Sequence, residues 1–380
     1  MTELRFSKQH DNLTNYMASE GIRLALFQDF EGMRDPTIRW MTRHPGDALL
    51  FVPSNIIDIP ILIPWDVNMA QQYAKDSYCH IVPYTDFERN PYKAIKAVVE
   101  NLNIPAGSRI EIPPTTSYPS FLRFVDALPD HDIICREDGI HFYTQQMRAI
   151  KDPEEIEIYR EASRITNDVI AELEKQIRRG AFATEVDVAL FIEREARIRG
   201  CEGTGFETLV AGPKRSFGIH AFPTFTGEAF GTPGLSIIDF GLKYRGYTTD
   251  VTLTVAKGPL NRTQERMLTL VEKAYNLAVS MAKEGLATRE LALAVDAHFE
   301  KAKKKMPHAL GHGIGMEAHE APAIRSRSDN EWILQQGMVF TLEPGLYDPV
   351  HGGCRLENDF VLTEQGLEQL TKAQIIRIPE

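Results

Sequence analysis

Cysteine is scarce and scattered in this chain. The four cysteines among 380 residues, Cys79, Cys135, Cys201 and Cys354, show no CxxC spacing. Neither a disulfide framework nor a zinc finger is suggested, and a reducing cytoplasm is the expected compartment. Basic residues are outnumbered: 42 Lys and Arg against 53 Asp and Glu leave a net charge of −11. That balance disfavours nucleic acid and anionic membrane surfaces as partners, because both need a basic patch. No apolar run has transmembrane length. The first residues, Met1-Thr-Glu-Leu-Arg-Phe-Ser-Lys8, contain no apolar signal core. Low-complexity tracts and heptad arrays are also lacking.

What is present is an ordinary globular composition, 43% hydrophobic and 25% charged, over a length that exceeds one core. Two domains are therefore expected, and a boundary is legible at Lys151-Asp152-Pro153-Glu154-Glu155. Asp152 can cap a helix, Pro153 suits its first position, and Glu155 sits where a capping-box acid belongs. Apolar residues at Ile156, Tyr159, Ala162, Ile165, Val169 and Leu173 then follow helical spacing. Residues 1–150 alternate strand-like and helix-like segments. Ala48–Val52, Ile61–Trp65 and Arg109–Ile112 read as strands, and Lys93–Asn103 and Tyr118–Leu128 as helices. This predicts an α/β domain. Residues 151–380 read twice as helix, helix, then strands. Helices at about 153–179 and 184–199 precede strands around Phe206–Thr224 and a hairpin, and helices at about 262–284 and 288–304 precede further strands. The order of elements implies an internal duplication in an α+β domain.

Each repeat ends in a pair of carboxylates. Asp239-Phe-Gly241-Leu-Lys-Tyr-Arg-Gly246-Tyr-Thr-Thr-Asp250 is flanked by β-prone residues and reads as a hairpin. A turn centred between Tyr244 and Arg245 would set Asp239 opposite Asp250. Like charges so placed, roughly 4.5–5.5 Å apart at Cβ, are destabilising unless something cationic lies between them. Glu343 and Glu357 are placed symmetrically about a second loop, rich in glycine and proline, and His312 stands in Gly311-His312-Gly313-Ile-Gly315. Four carboxylates and a neutral imidazole would be neutralised by two divalent cations. Such hard ligands suit Mn²⁺, Co²⁺, Fe²⁺ or Zn²⁺. Two such ions can bridge a hydroxide and polarise a carbonyl together, with the pKa of the water lowered towards ~7.

These motifs, with His319-Glu320-Ala-Pro322 and Gly353-Cys-Arg355-Leu-Glu357, resemble the pita-bread metallopeptidases, a family that includes methionine aminopeptidase, aminopeptidase P and prolidase. The segment before residue 151 resembles the creatinase-type domain of the proline-specific members. The resemblance implies a creatinase-like α/β domain followed by a pita-bread domain with pseudo-two-fold symmetry, and a likeness closest to Xaa-Pro dipeptidase or aminopeptidase P. It implies a dinuclear centre, most readily manganese, held by Asp239, Asp250, His312, Glu343 and Glu357, with Asp250 and Glu357 bridging. It implies that His220 and His319 line the substrate site, that His308 is the extra histidine of the proline-specific branch, and that the enzyme is a homodimer. Arg355 shares a strand face with Glu357 and could take a substrate carboxylate or balance the metal carboxylates. Thr252 and Glu320 resemble residues that orient ligands. Because His319 follows His312 by an odd offset, a bend is needed for both to face the site. The implied reaction is hydrolysis of an Xaa-Pro bond in a short peptide with proline at its second position, by a hydroxide bridging the ions. A hydrolase or lyase of a small zwitterion and a catalytically silent binding module are the alternatives.

Overall fold

The computed structural model of the chain describes residues 2–55 and 57–379. It divides into two compact units, Met1–Met147 and Arg148–Glu380. The first contains α1 (Thr2–Ser19), β1 (Ile22–Asp29), α2 (Pro36–Thr42), β2 (Ala48–Pro53), β3 (Ile61–Pro64), α3 (Val67–Tyr73), β4 (His80–Ile81), α4 (Pro91–Asn101), β5 (Arg109–Glu111), α5 (Tyr118–Ala127) and β6 (Asp132–Ile134). The helix α6 (Ile140–Ala149) spans the division. The six strands form one mixed sheet in the order β4-β3-β2-β1-β5-β6. The inner strand β2 is buried throughout, which is why Ala48–Val52 reads as an unbroken apolar run. Helix α4 begins two residues before the expected Lys93. Pro91 occupies its first turn, and Asn90 Oδ1 accepts the N–H groups of Tyr92 at 2.9 Å and Lys93 at 3.2 Å.

The second unit opens with α7 (Pro153–Arg178) and α8 (Glu185–Ile198). The expected capping box of α7 is formed: Glu155 N–H donates to Asp152 Oδ1 and Asp152 N–H to Glu155 Oε2, both at 2.9 Å. Then come β7 (Gly203–Thr204), β8 (Leu209–Ala211), β9 (Gly234–Phe240), β10 (Leu242–Tyr244), β11 (Tyr247–Thr248) and β12 (Val251–Lys257). The second repeat runs α9 (Arg262–Met281), α10 (Thr288–Lys301), β13 (Gly311–Gly313), β14 (Glu320–Ile324), β15 (Val339–Leu342), β16 (Gly345–Asp348), β17 (Gly352–Arg355) and β18 (Asn358–Thr363), followed by β19 (Gly366–Gln369) and β20 (Ile375–Ile378).

The duplication is visible in the pairing. β8, β9 and β12 form an antiparallel ladder extended by the β10–β11 hairpin. β13, β15 and β18 form its counterpart, extended by β16–β17. The two ladders meet where Glu357 N–H donates to Thr252 O at 3.2 Å. Helices from both repeats cover the strands. Val169, Val188, Val271 and Val295 belong to one apolar core with Ile238, Leu253, Phe340 and Phe360. Among the described residues, no helix is long and apolar enough to cross a membrane.

Two expectations about this unit are corrected. The hairpin register is displaced, so that Asp239 faces Thr252 and not Asp250. The turn residues are Arg245 and Gly246, both with positive φ (49° and 90°), which is the requirement of a tight two-residue hairpin turn. Asp250 therefore stands diagonally from Asp239, on the same face. The segment 206–224 is mostly loop and contains only the three-residue strand β8. Gly212-Pro213 ends that strand, and the next 14 residues, Lys214 to Gly227, hold no strand or helix.

Candidate metal centre

All five expected ligands stand at strand ends. Asp239 is in β9, Asp250 immediately precedes β12, His312 is in β13, Glu343 follows β15, and Glu357 precedes β18. The pseudo-two-fold pairs Asp239 with Glu343 and Asp250 with Glu357. Ligand atoms of Asp250, His312 and Glu357 all lie within 4.8 Å of one another. His312 Nε2 is 3.7 Å from Asp250 Oδ2 and 3.7 Å from Glu343 Oε1. Its Nδ1 lies 3.1 Å from Gly313 O, which can only accept, so Nδ1 carries the proton and Nε2 turns a lone pair to the carboxylates. Burial, with His319 next to it, pushes the His312 pKa down to about 3. The imidazole is thus neutral, the form that ligates.

The carboxylates are held in a state that calls for cations. Burial, then Glu357 and Asp239, raises Asp250 well above the usual carboxylate range. Burial and Glu357 do the same to Glu343. Burial and Asp239 push Glu357 up to about 7. Asp239 Oδ1 and Glu357 Oε1 are buried without a hydrogen-bond partner. Buried polar oxygens left unpaired are costly, and each of these is free to ligate. The donor set of carboxylate oxygens and one imidazole nitrogen fits a pair of divalent ions such as Mn²⁺.

A ring of supporting bonds fixes the cluster. Thr252 donates its hydroxyl to Glu357 Oε2 at 2.8 Å. Asp359 Oδ2 accepts the backbone N–H of Asp250 at 3.0 Å. Arg355 is only 1% exposed. Its Nε donates to Thr252 Oγ1 at 2.9 Å, and its Nη1 to Tyr347 Oη at 2.7 Å and Ile219 O at 3.0 Å. Its Nη2 is ion-paired to Asp239 Oδ2. Four of its five N–H groups are therefore committed within the protein. That leaves one, on Nη2, for any substrate.

Three further histidines border the centre. The ring of His319 lies 4.2 Å from that of His312, centroid to centroid, tilted by 43°. The bend that its odd offset requires is the break between β13 and β14, where the register shifts after His312. Glu320 holds that bend: its Oε1 accepts the N–H groups of Met316 at 3.0 Å and Glu317 at 3.2 Å. Arg148 and Lys151 in turn face the Glu320 carboxylate at 3.4 and 3.7 Å. His308 Nδ1 donates to Ala309 O at 2.8 Å, so its Nε2 accepts from the Tyr347 hydroxyl at 3.0 Å. Burial and Arg355 push His308 down to about 4. His220 is exposed on the loop after β8 and close enough to act electrostatically on His319 and His308. Sequence reasoning missed Tyr347 and Asp359. The alternation that placed Arg355 beside Glu357 also puts Asp359 on that face. Tyr347 carries no comparable signal, because it reaches Arg355 only through the β16–β17 hairpin.

Three buried carboxylates, the half-buried Glu343 and a neutral imidazole, gathered at the strand ends of a duplicated α+β unit, define a metal-dependent hydrolase. Residues 157–364 match the model of metallopeptidase family M24, and the chain belongs to that family. It is 34% identical over 236 residues to an Xaa-Pro dipeptidase of Pyrococcus furiosus, covering 60% of this chain and 65% of that protein. Among solved structures, the X-Pro aminopeptidase of Thermotoga maritima MSB8 is 29% identical with a TM-score of 0.83, over 97% of this chain and 99% of that one. An Xaa-Pro dipeptidase from Bacillus anthracis is 25% identical with a TM-score of 0.84, over 98% and 100%. The expected family and the two-domain pita-bread fold are borne out.

Proposed function

We propose that this peptidase hydrolyses Xaa-Pro bonds in short peptides at a centre of two divalent ions, most readily Mn²⁺, held by Asp239, Asp250, His312, Glu343 and Glu357. The observation that carries the reading is the gathering of Asp250, Glu343 and Glu357 about His312, whose Nε2 is unprotonated, with buried oxygens of Asp239 and Glu357 left without a hydrogen-bond partner. When bound, the ions would polarise the scissile carbonyl and lower the pKa of a water. His319 stabilises the developing oxyanion, and His220 hydrogen-bonds the substrate from its exposed loop. His308, tied to Tyr347, shapes the side of the site next to Glu343, which its Nδ1 approaches to 3.7 Å. Arg355 balances charge and holds Asp239, and its last N–H is its one means of meeting a substrate carboxylate. A prolyl bond has no N–H at the scissile nitrogen, and its departure needs a proton and a slot that holds the ring by shape. The names of the similar proteins support the proline preference. A cytoplasmic homodimer is the corresponding expectation.

The test is a panel with Mn²⁺- and Co²⁺-loaded protein: Xaa-Pro dipeptides, Xaa-Pro-Yaa peptides and Met-peptides. Cleavage of either proline series supports the proposal and separates dipeptidase from aminopeptidase. Cleavage of Met-peptides alone contradicts it. Failure on every peptide, with the ions bound, would favour a small zwitterion.

A further inference from the structure

We infer that Glu185 is a positioning residue for His220, an inference that rests on the substrate-site reading above. His220 lies in the loop 212–226, which is irregular and carries Phe222 at 95% exposure. A segment without strand or helix is held mainly by ties made at particular residues. Both ends of the loop are nevertheless bound to one carboxylate, that of Glu185, the first residue of α8 and fully buried. Glu185 Oε1 accepts the N–H of Gly212 at 2.8 Å. Oε2 accepts the N–H and the hydroxyl of Thr226, both at 2.8 Å, and Arg215 Nη1 at 2.8 Å. The other arm of Arg215 reaches Pro223 O, three residues beyond His220.

The clamp works with two further ties. Ser216 Oγ donates to Leu235 O at 2.7 Å and accepts the Gly353 N–H at 3.0 Å. Ile219, adjacent to His220, presents its carbonyl to Arg355 Nη1 at 3.0 Å. Between ends pinned by Glu185 and a middle pinned to Arg355, the backbone that carries His220 is held on both sides. A buried carboxylate with four donors is satisfied. Removing its charge releases the loop without touching any of the five proposed ligands.

The experiment is a double-mutant cycle on the metal-loaded enzyme with Glu185→Gln and His220→Ala, read as kcat/KM on an Xaa-Pro dipeptide. His220→Ala is expected to lower kcat/KM about 10²-fold. Glu185→Gln is expected to lower it about tenfold, as loss of a supporting partner does, with metal content unchanged. The double variant is expected to be no worse than His220→Ala alone. Chymotrypsin should cleave Phe217–Gly218 faster in Glu185→Gln than in the wild type. Should Glu185→Gln fail to fold, Thr226→Val, which removes one of the four donors, takes its place in the same cycle. Additive losses, or wild-type activity and wild-type cleavage in Glu185→Gln, overturn the inference. Wild-type activity in His220→Ala overturns the substrate-site reading and the inference with it. In that case the cleavage rates still report the clamp separately.

Discussion

Thr252 donates its hydroxyl proton to Glu357 Oε2 at 2.8 Å while accepting the Nε–H of Arg355 at 2.9 Å. A hydroxyl has one proton, so accepting from the arginine commits that proton to the carboxylate. Across the pseudo-two-fold, Asp359 takes the N–H of Asp250 at 3.0 Å. Both supporting residues lie two positions after a proposed ligand, and each serves the ligand of the other repeat. Thr252→Val keeps the shape and deletes the bond. Affinity for Mn²⁺ should fall about 10–100-fold, and stability by about 1–3 kcal/mol, because two buried polar groups lose a partner. Calorimetric titration and a thermal melt read both quantities. Unchanged affinity would show that Thr252 does not orient Glu357.

His319 is assigned to the transition state and not to the resting ions. His319→Ala should lower kcat about 10²–10³-fold with metal content retained, the usual cost of one such donor. Elemental analysis beside kinetics separates the two roles. Loss of metal in this variant would make His319 a ligand and reverse the assignment between the histidines.

Proline preference can be put as a ratio. For matched Ala-Pro and Ala-Ala substrates, kcat/KM should differ at least tenfold in favour of proline, about 1.4 kcal/mol of discrimination. Equal values with full metal loading would leave a general peptidase.

The first unit has its own pH dependence. His10 is buried with neither ring nitrogen hydrogen-bonded and Asp11 Oδ1 4.0 Å from its Nδ1, and His44 is buried as well. Burial lowers both pKa values from 6.5, outweighing the opposing pull of Asp11 on His10 and of Asp47 and Asp66 on His44. Below 6.5 the unfolded chain takes up protons that the folded imidazoles resist. The stability they permit is therefore present above 6.5 and lost as pH falls below it. Comparing melts of wild type and His10→Leu from pH 8 to pH 5 isolates one of them. The wild type should lose ground to the variant as pH falls, and a constant difference would contradict the argument.

Much of this architecture is legible in residue patterns because it is local. Asp152, Pro153 and Glu155 specify the start of α7 within four residues, and both carboxylate pairs lie in recognisable hairpins. What is not legible depends on distant partners or on uncommon backbone. The register of the first hairpin turns on Arg245 adopting a positive φ, which few non-glycine residues do. The segment Phe206–Thr224 reads as strand, but only β8 forms within it. The loop that follows bonds instead to distant partners, among them Glu185, Leu235 and Arg355. The central strand β1 and the preceding α1 carry no chemistry-bearing motif and are absent from the sequence reading.

The account stands most directly on the number of ions bound. Protein stripped by a chelator and titrated with Mn²⁺ should bind two ions per chain, with peptidase activity restored as they bind. Asp250→Ala and Glu357→Ala, each removing a proposed bridge, should bind fewer and remain inactive. Full hydrolysis with no ion bound, or wild-type metal content and turnover in either variant, would contradict the centre assigned to these five residues.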